Sequence, residues 1–421
     1  MYRLYLSLTF LILVHLTFAQ FNSYYGNLHS HTDYSGGVGV PLNAFNYANN
    51  VANIDVLAVT DHLESIYYSS YEWDSLKISA NLSTINGSFV GMAGFEWTSP
   101  SINHVNAFNT TGMTSPLNVN NWDAFLTDLQ NQQNAIAQFN HPGLLGTNNW
   151  NNFAYKTATI DSIFRLIEVK KFSDDSYYQL ALNNGWHVSA TNNQDNHDWT
   201  WGNLDDTRCG IYANTLSYNS IIDALYNRRT FSTMDKNAKV WMTLNGHNMG
   251  GFCAKSANSI INIILNDSDN EIWNNVSIIS SNNTTLASFS VNHSSVDTTF
   301  QINTNNSSWI FIRAKQPDDD YLWSAPIFLT PASSSDEAEN NNIHINIFPN
   351  PAKEFISIQT EGNDAKINEI TIKDITGKKV FQKGYKNETS LNLNTSFLRS
   401  GIYFIEINTT IGSFNSRLVI E

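Results

Sequence analysis

The chain has 421 residues, 42% hydrophobic and 13% aromatic, enough for one to three domains with real cores. Only 14% are charged and the net charge is −14. That excludes non-specific binding to a nucleic-acid duplex, which needs Lys and Arg to neutralise phosphates, although a local cationic site for a phosphorylated ligand is still allowed.

The first 19 residues carry the marks of a secretory signal. Arg3 supplies a positive start, Leu4 to Leu16 an apolar run, and Thr17-Phe18-Ala19 small residues for cleavage before Gln20. An N-terminal membrane anchor is the other reading, but the run is short for a span. No later stretch is long enough to cross a bilayer, so no transmembrane span is expected after signal cleavage. The two cysteines, Cys209 and Cys253, are either one disulfide of an exported protein or two buried thiols.

From 20 to 235, strand-like runs alternate with helical periodicity. Trp122, Phe125, Leu126 and Leu129 fall at i, i+3, i+4 and i+7 on one helix face. The runs Ile54–Thr60, Phe89–Phe95, Ala135–Asn140, Phe164–Val169 and Trp186–Ala190 read as strands. This alternation predicts an α/β domain with a mostly parallel sheet. From 236 to 330 the helical period disappears, and strands between Asn/Asp/Ser-rich turns predict a small β-sandwich. Residues 331–342 form a polar linker, and 343–421 read as a last all-β module.

Chemistry-bearing residues gather at strand ends. Gly26-Asn27-Leu28-His29-Ser30-His31-Thr32 follows the first apolar run. In a strand, His29 and His31 point the same way and grip one metal ion. Asp61-His62, Glu96, His141-Pro142 and Asp195-Asn196-His197 follow later strands. In a parallel barrel such ends meet at one mouth, so five segments predict a polynuclear metal site. Oxygen and imidazole ligands without thiolate suit Zn, Mn or Fe, with Glu96 as a bridge. Two such ions can share a hydroxide and clamp an in-line displacement.

These motifs, with Asn103-His104-Val105-Asn106, resemble those of the PHP (polymerase and histidinol phosphatase) superfamily of metallohydrolases, in its carbaryl-hydrolase-like branch. The resemblance covers about 21–235. It implies a distorted (β/α)7 barrel with two or three divalent ions. By its pattern His29, His31, Glu96 and Asp195 hold one ion, Glu96, His104 and His141 a second, and His62 and His197 contribute to a third. Relatives carry an Asp where this chain has Gly36; Asp33 lies two or three residues too early. Asp61 is expected to orient a neighbouring histidine. Arg208 matches an arginine that follows the Asp-x-His motif. It either binds phosphate at the mouth or pairs with Asp205 or Asp206 on the rim. Glu168 supports a ligand or is a structural carboxylate.

The tail resembles the C-terminal sorting domain of the type IX secretion system, through Phe348-Pro349-Asn350-Pro351, the Asp374…Gly377-Lys378 turn and Ser400-Gly401-Ile402-Tyr403. A carbohydrate-binding module is the alternative. The resemblances together imply a protein secreted or held at the cell surface, with the type IX export machinery as partner. Its expected activity is hydrolysis of a small phosphoester by a metal-bridging hydroxide. A carbamate or amide hydrolase on the same site, or a surface binding protein that has lost turnover, are the competing functions.

Overall fold

In a computed structural model, residues 21–115, 121–132, 134–331, 345–360, 366–374, 377–410 and 412–420 are described. The expected signal at 1–19 and nearly all of the linker at 331–342 lie outside them. The chain divides into two units, Met1–Ala332 and Ser333–Glu421.

The first unit is mixed α/β. Its strands are β1 Asn22–Asn27, β2 Val56–Val59, β3 Val90–Trp97, β4 Val105–Phe108, β5 Ile136–Phe139, β6 Phe164–Glu168, β7 Ser189–Thr191, β8 Arg208–Ala213 and β9 Thr230–Thr233. They lie side by side as β9-β8-β1-β2-β3-β4-β5-β6-β7. β2 is buried on both faces: Leu57 and Val59 pack into one apolar cluster, Val56 and Ala58 into another. That is why its sequence is a continuous apolar run. Helix Trp122–Gln130 covers one face with Trp122, Phe125, Leu126 and Leu129, all buried, and Asn121 caps it by accepting from Ala124 N–H at 3.1 Å. Each such side chain contributes roughly 1.5–3 kcal/mol.

The sheet is less parallel than its sequence predicts. β1–β2, β2–β3, β5–β6 and β6–β7 are parallel, whereas β1–β8, β3–β4, β4–β5 and β8–β9 are antiparallel. The reason is connection length. Only residues 98–104 link β3 to β4, too few for a crossover, which needs roughly a dozen. An antiparallel strand starts at the end where its parallel neighbours finish. His104, just before β4, and Arg208, first in β8, therefore lie at the same end as the C-termini of β1, β2 and β3. The outer strands also approach each other: Ser189 Oγ lies 2.6 Å from Thr230 Oγ1, and Asn192 Nδ2 donates to the Thr233 carbonyl at 3.1 Å.

Residues 239–330 are all β. Ser259–Asn266 alternates buried and open positions and turns Ile261, Ile263 and Leu265 inward. They meet Ile310, Ile312 and Leu322 of a facing sheet. That facing sheet is continuous with β9, because Tyr321–Ser324 pairs antiparallel with it. Cys209 and Cys253 are both buried and free, so no disulfide joins them.

The second unit has its own core, built from Ile356, Ile358, Ile370, Ile372, Ile405, Ile407 and Leu418. A three-stranded sheet and a four-stranded sheet supply them. Asp374 turns the chain by accepting from Lys378 N–H through Oδ1 at 3.1 Å, and Gly377 takes φ +84°.

Candidate metal centre

His29 and His31 lie just beyond β1, where side chains bond the backbone before and at His29, and the His31 N–H donates to the Asn196 carbonyl at 2.8 Å. Asn27 Oδ1 accepts from His29 N–H (3.2 Å), and Asn193 Oδ1 from Leu28 N–H (2.7 Å). His62 and Glu96 face each other across a single parallel bridge. His141 (φ +31°) and Asp195 (φ +51°) hold backbone conformations that non-glycine residues seldom adopt. Such strain is a recurrent mark of functional sites.

Glu96 is the centre. It is 1% exposed, and its two oxygens face different partners. Oε1 lies 3.2 Å from His29 Nε2, 3.2 Å from His104 Nδ1 and 3.3 Å from His141 Nε2. Oε2 lies 3.0 Å from His62 Nδ1 and 3.4 Å from His31 Nε2. Asp195 Oδ1 sits 3.2 Å from His29 Nε2 and 3.1 Å from His31 Nε2. His197 stacks on His31 with ring centres 4.2 Å apart. All eight expected ligands are thus in one cluster. Three groups of donors converge closely enough to hold an ion: His29–His31–Asp195, His29–Glu96–His141 and His31–His62–His197.

The donor set fits divalent metal. Ligands about 2.1 Å from an ion stand about 3.0–3.4 Å apart in octahedral or tetrahedral shells, which matches these separations. His62 Nδ1 is buried 3.0 Å from Glu96 Oε2, within the same cluster of donors.

Partners behind the cluster fix the imidazoles. Glu168 Oε1 lies 2.9 Å from His29 Nδ1, and its Oε2 accepts from His141 N–H at 2.6 Å. Ser35 Oγ lies 3.2 Å from His31 Nδ1 and donates to Asp61 Oδ1 at 2.6 Å. His197 Nδ1 lies 3.0 Å from the Asp195 carbonyl. Protons placed on these nitrogens leave Nε2 of all three rings free to coordinate. Asn140 Nδ2 donates to Glu96 Oε1 at 2.8 Å.

Electrostatics follow from this packing. Burial opposes the charged form of His29, but Asp195, Glu96 and Glu168 raise its pKa well above the ordinary value. Burial lowers His31 despite Asp195. Against its own burial, Glu96 is held well below the carboxylate range by the charge of His29 and hydrogen bonds from His104 and His141. Asp195 is depressed in the same way, burial being outweighed by His29 and His31.

The remaining expected residues are less central. Asp61 reaches no histidine directly; it binds Thr32 and Ser35, and only the Ser35 hydroxyl touches His31. Arg208 is 5% exposed, and its Nη1 donates to the carbonyls of Asp205 (2.8 Å) and Thr207 (2.7 Å) rather than to a carboxylate. Asp33 is exposed, and a side chain on Gly36 would point into open space. Ser35 and Asn140 had no signal in so Ser- and Asn-rich a sequence.

Residues 346–421 match the family model for a secretion system C-terminal sorting domain. This tail is a type IX sorting domain. The protein is therefore secreted or at the cell surface, with export machinery as a partner. No helix of the described residues is long and apolar enough to cross a membrane. No curated protein matches the sequence. Among solved structures, the chain is similar to a two-domain protein containing a predicted PHP-like metal-dependent phosphoesterase from Bacteroides vulgatus. The TM-score is 0.42 and the identity 15%, covering 73% of this chain and 96% of that one. A lesion-specific endonuclease from Pyrococcus furiosus follows with a TM-score of 0.33 and 12% identity, covering 49% and 56%.

Proposed function

We propose that the cluster holds two divalent ions, or three with His31–His62–His197, and that the protein is a secreted metal-dependent hydrolase of phosphoesters. The curled sheet serves as its distorted (β/α)7 barrel, with the cluster at the mouth. The observation that carries this reading is Glu96, whose two oxygens serve separate sets of histidines.

His29, His31, Asp195 and Glu96 hold the first ion; Glu96, His104 and His141 hold the second. Bound ions would supply Lewis acidity, bringing the pKa of water down to about 7 and neutralising phosphoryl charge. Glu168 keeps His29 in the ligating tautomer, and Asp61 does the same for His31 through Ser35. Arg208, at the mouth end of β8, holds the anionic part of the substrate. No Ser or Cys stands in a convincing nucleophile motif.

The test is turnover of a panel of phosphomonoesters, phosphodiesters and carbamates beside metal analysis. Activity toward phosphoesters should rise with pH around neutrality and then level off. Arg208→Lys should be impaired because it loses the planar fork, and Arg208→Ala more so, both with metals retained. Normal turnover by both leaves Arg208 a structural residue that binds the Asp205 and Thr207 carbonyls. Turnover confined to carbamates overturns the phosphoester assignment.

A further inference from the structure

The loops that leave the cluster expose large apolar side chains. Tyr68 follows His62 after one helical turn, Leu145 lies four residues past His141, and Trp199 two residues past His197. They are 74%, 97% and 56% exposed. Chain length limits Trp199 to about 7 Å from His197 and Leu145 to about 14 Å from His141, Cα to Cα. A single exposed apolar residue is ordinary, but here one follows closely on each of three ligand segments.

Trp199 is held in place. Its ring lies over Gly39, where a Cβ would come within 2.7 Å of it, and meets Trp201 edge-on at 5.5 Å. Trp201 is buried and its indole N–H donates to the His31 carbonyl at 2.8 Å. The exposed ring is thus tied to a ligand residue through one buried neighbour. Leu145 stands on a turn between Gly143 (φ +89°) and Gly146 (φ +90°), braced where Asn149 Oδ1 accepts from Gly143 N–H at 2.7 Å. Trp199, fixed by packing, offers an apolar face at low entropic cost, whereas Leu145 is fixed through its backbone.

Resting on the phosphoester reading above, we infer that the substrate's alcohol carries an apolar group, alkyl or aryl, which lies against Trp199, Leu145 and Tyr68 while its phosphate enters the histidine cluster.

The test titrates the full-length protein with methyl, butyl, octyl and phenyl phosphonates by calorimetry, beside the matching carbamates. Affinity should rise about two- to fourfold per methylene, with a negative heat-capacity change. Trp199→Ala should weaken phenylphosphonate by about tenfold, and Leu145→Ser should reduce the gain from butyl to octyl. A stronger effect of Trp199→Ala on the phenyl than on the octyl compound assigns the group as aryl, and the reverse as alkyl. Equal affinity for methyl, octyl and phenyl compounds, or gains undiminished in both variants, overturns the inference, even where phosphoesters are hydrolysed. Gains confined to carbamates overturn the phosphoester reading instead, and leave the apolar rim standing.

Discussion

Two regions of the first unit concentrate carboxylates, and they are built in opposite ways. In the histidine cluster, Glu96 and Asp195 stand among imidazoles. In the other region, Asp235, Asp267 and Glu271 come together without histidine. Protein donors already occupy much of that second group: Asp267 accepts from Asp269 N–H (2.8 Å), Glu271 N–H (3.0 Å) and Gln316 Nε2 (2.9 Å), and Asp235 from Asn237 N–H (2.7 Å). The proton affinities diverge accordingly. Glu96 is held well below the ordinary carboxylate range, whereas desolvation and the nearby Asp318, Asp235 and Asp267 push Glu271 up to about 7. What sets the proposed metal centre apart is thus its complementary imidazole donors, not the number of carboxylates.

The sharpest way to break this contrast is Glu96→Gln. It removes the charge shared by both sets of histidines while keeping the shape. Losing several kcal/mol of charge stabilisation should lower turnover by about 10³-fold. Steady-state kinetics at saturating metal check this, and wild-type rates would show that Glu96 is not the bridge.

A smaller effect is expected behind the ligands. Glu168→Gln and Asp61→Asn leave every proposed ligand in place but weaken the hold on His29 and His31. Each should cost about 10- to 100-fold in metal affinity, measured by chelator competition. Unchanged affinity in both would make these carboxylates purely structural.

The legible part of the site was the part encoded in local spacing. His29-x-His31 and Asp61-His62 are visible because each closely follows a strand, and Asp195-x-His197 because a short polar turn leads to it from one. His104 came only through resemblance, since its position depends on β4 running backwards after a short connection. Glu168 stayed ambiguous: one carboxylate at the end of an apolar strand looks the same whether it supports a ligand or the core. Among the described residues, those from 239 to 330 hold strands and no helix, but local pattern could not show that Tyr321–Ser324 extends the sheet from β9. That pairing joins segments about ninety residues apart and leaves no periodic trace.

The smallest effect belongs to the acidic group. Glu271 titrates near 7 in the folded chain against an ordinary value of 4.5. The folded state therefore binds the proton more tightly, and this contribution to stability is complete below pH 4.5 and lost as pH rises through about 7. Glu271→Gln should remove that decline and raise the Tm above neutrality by no more than a few degrees, with metal content unchanged. Thermal melts across pH test it; an identical pH profile would contradict it.

The central claim is that the mouth, and not merely one of its histidine pairs, is a polynuclear centre. Elemental analysis of the purified protein after loading with Zn, Mn or Fe and removal of free ions addresses it directly. At least two equivalents per chain are predicted, falling in Glu96→Gln as both sites weaken. One equivalent or less in the wild type, or full occupancy retained in Glu96→Gln, would contradict it.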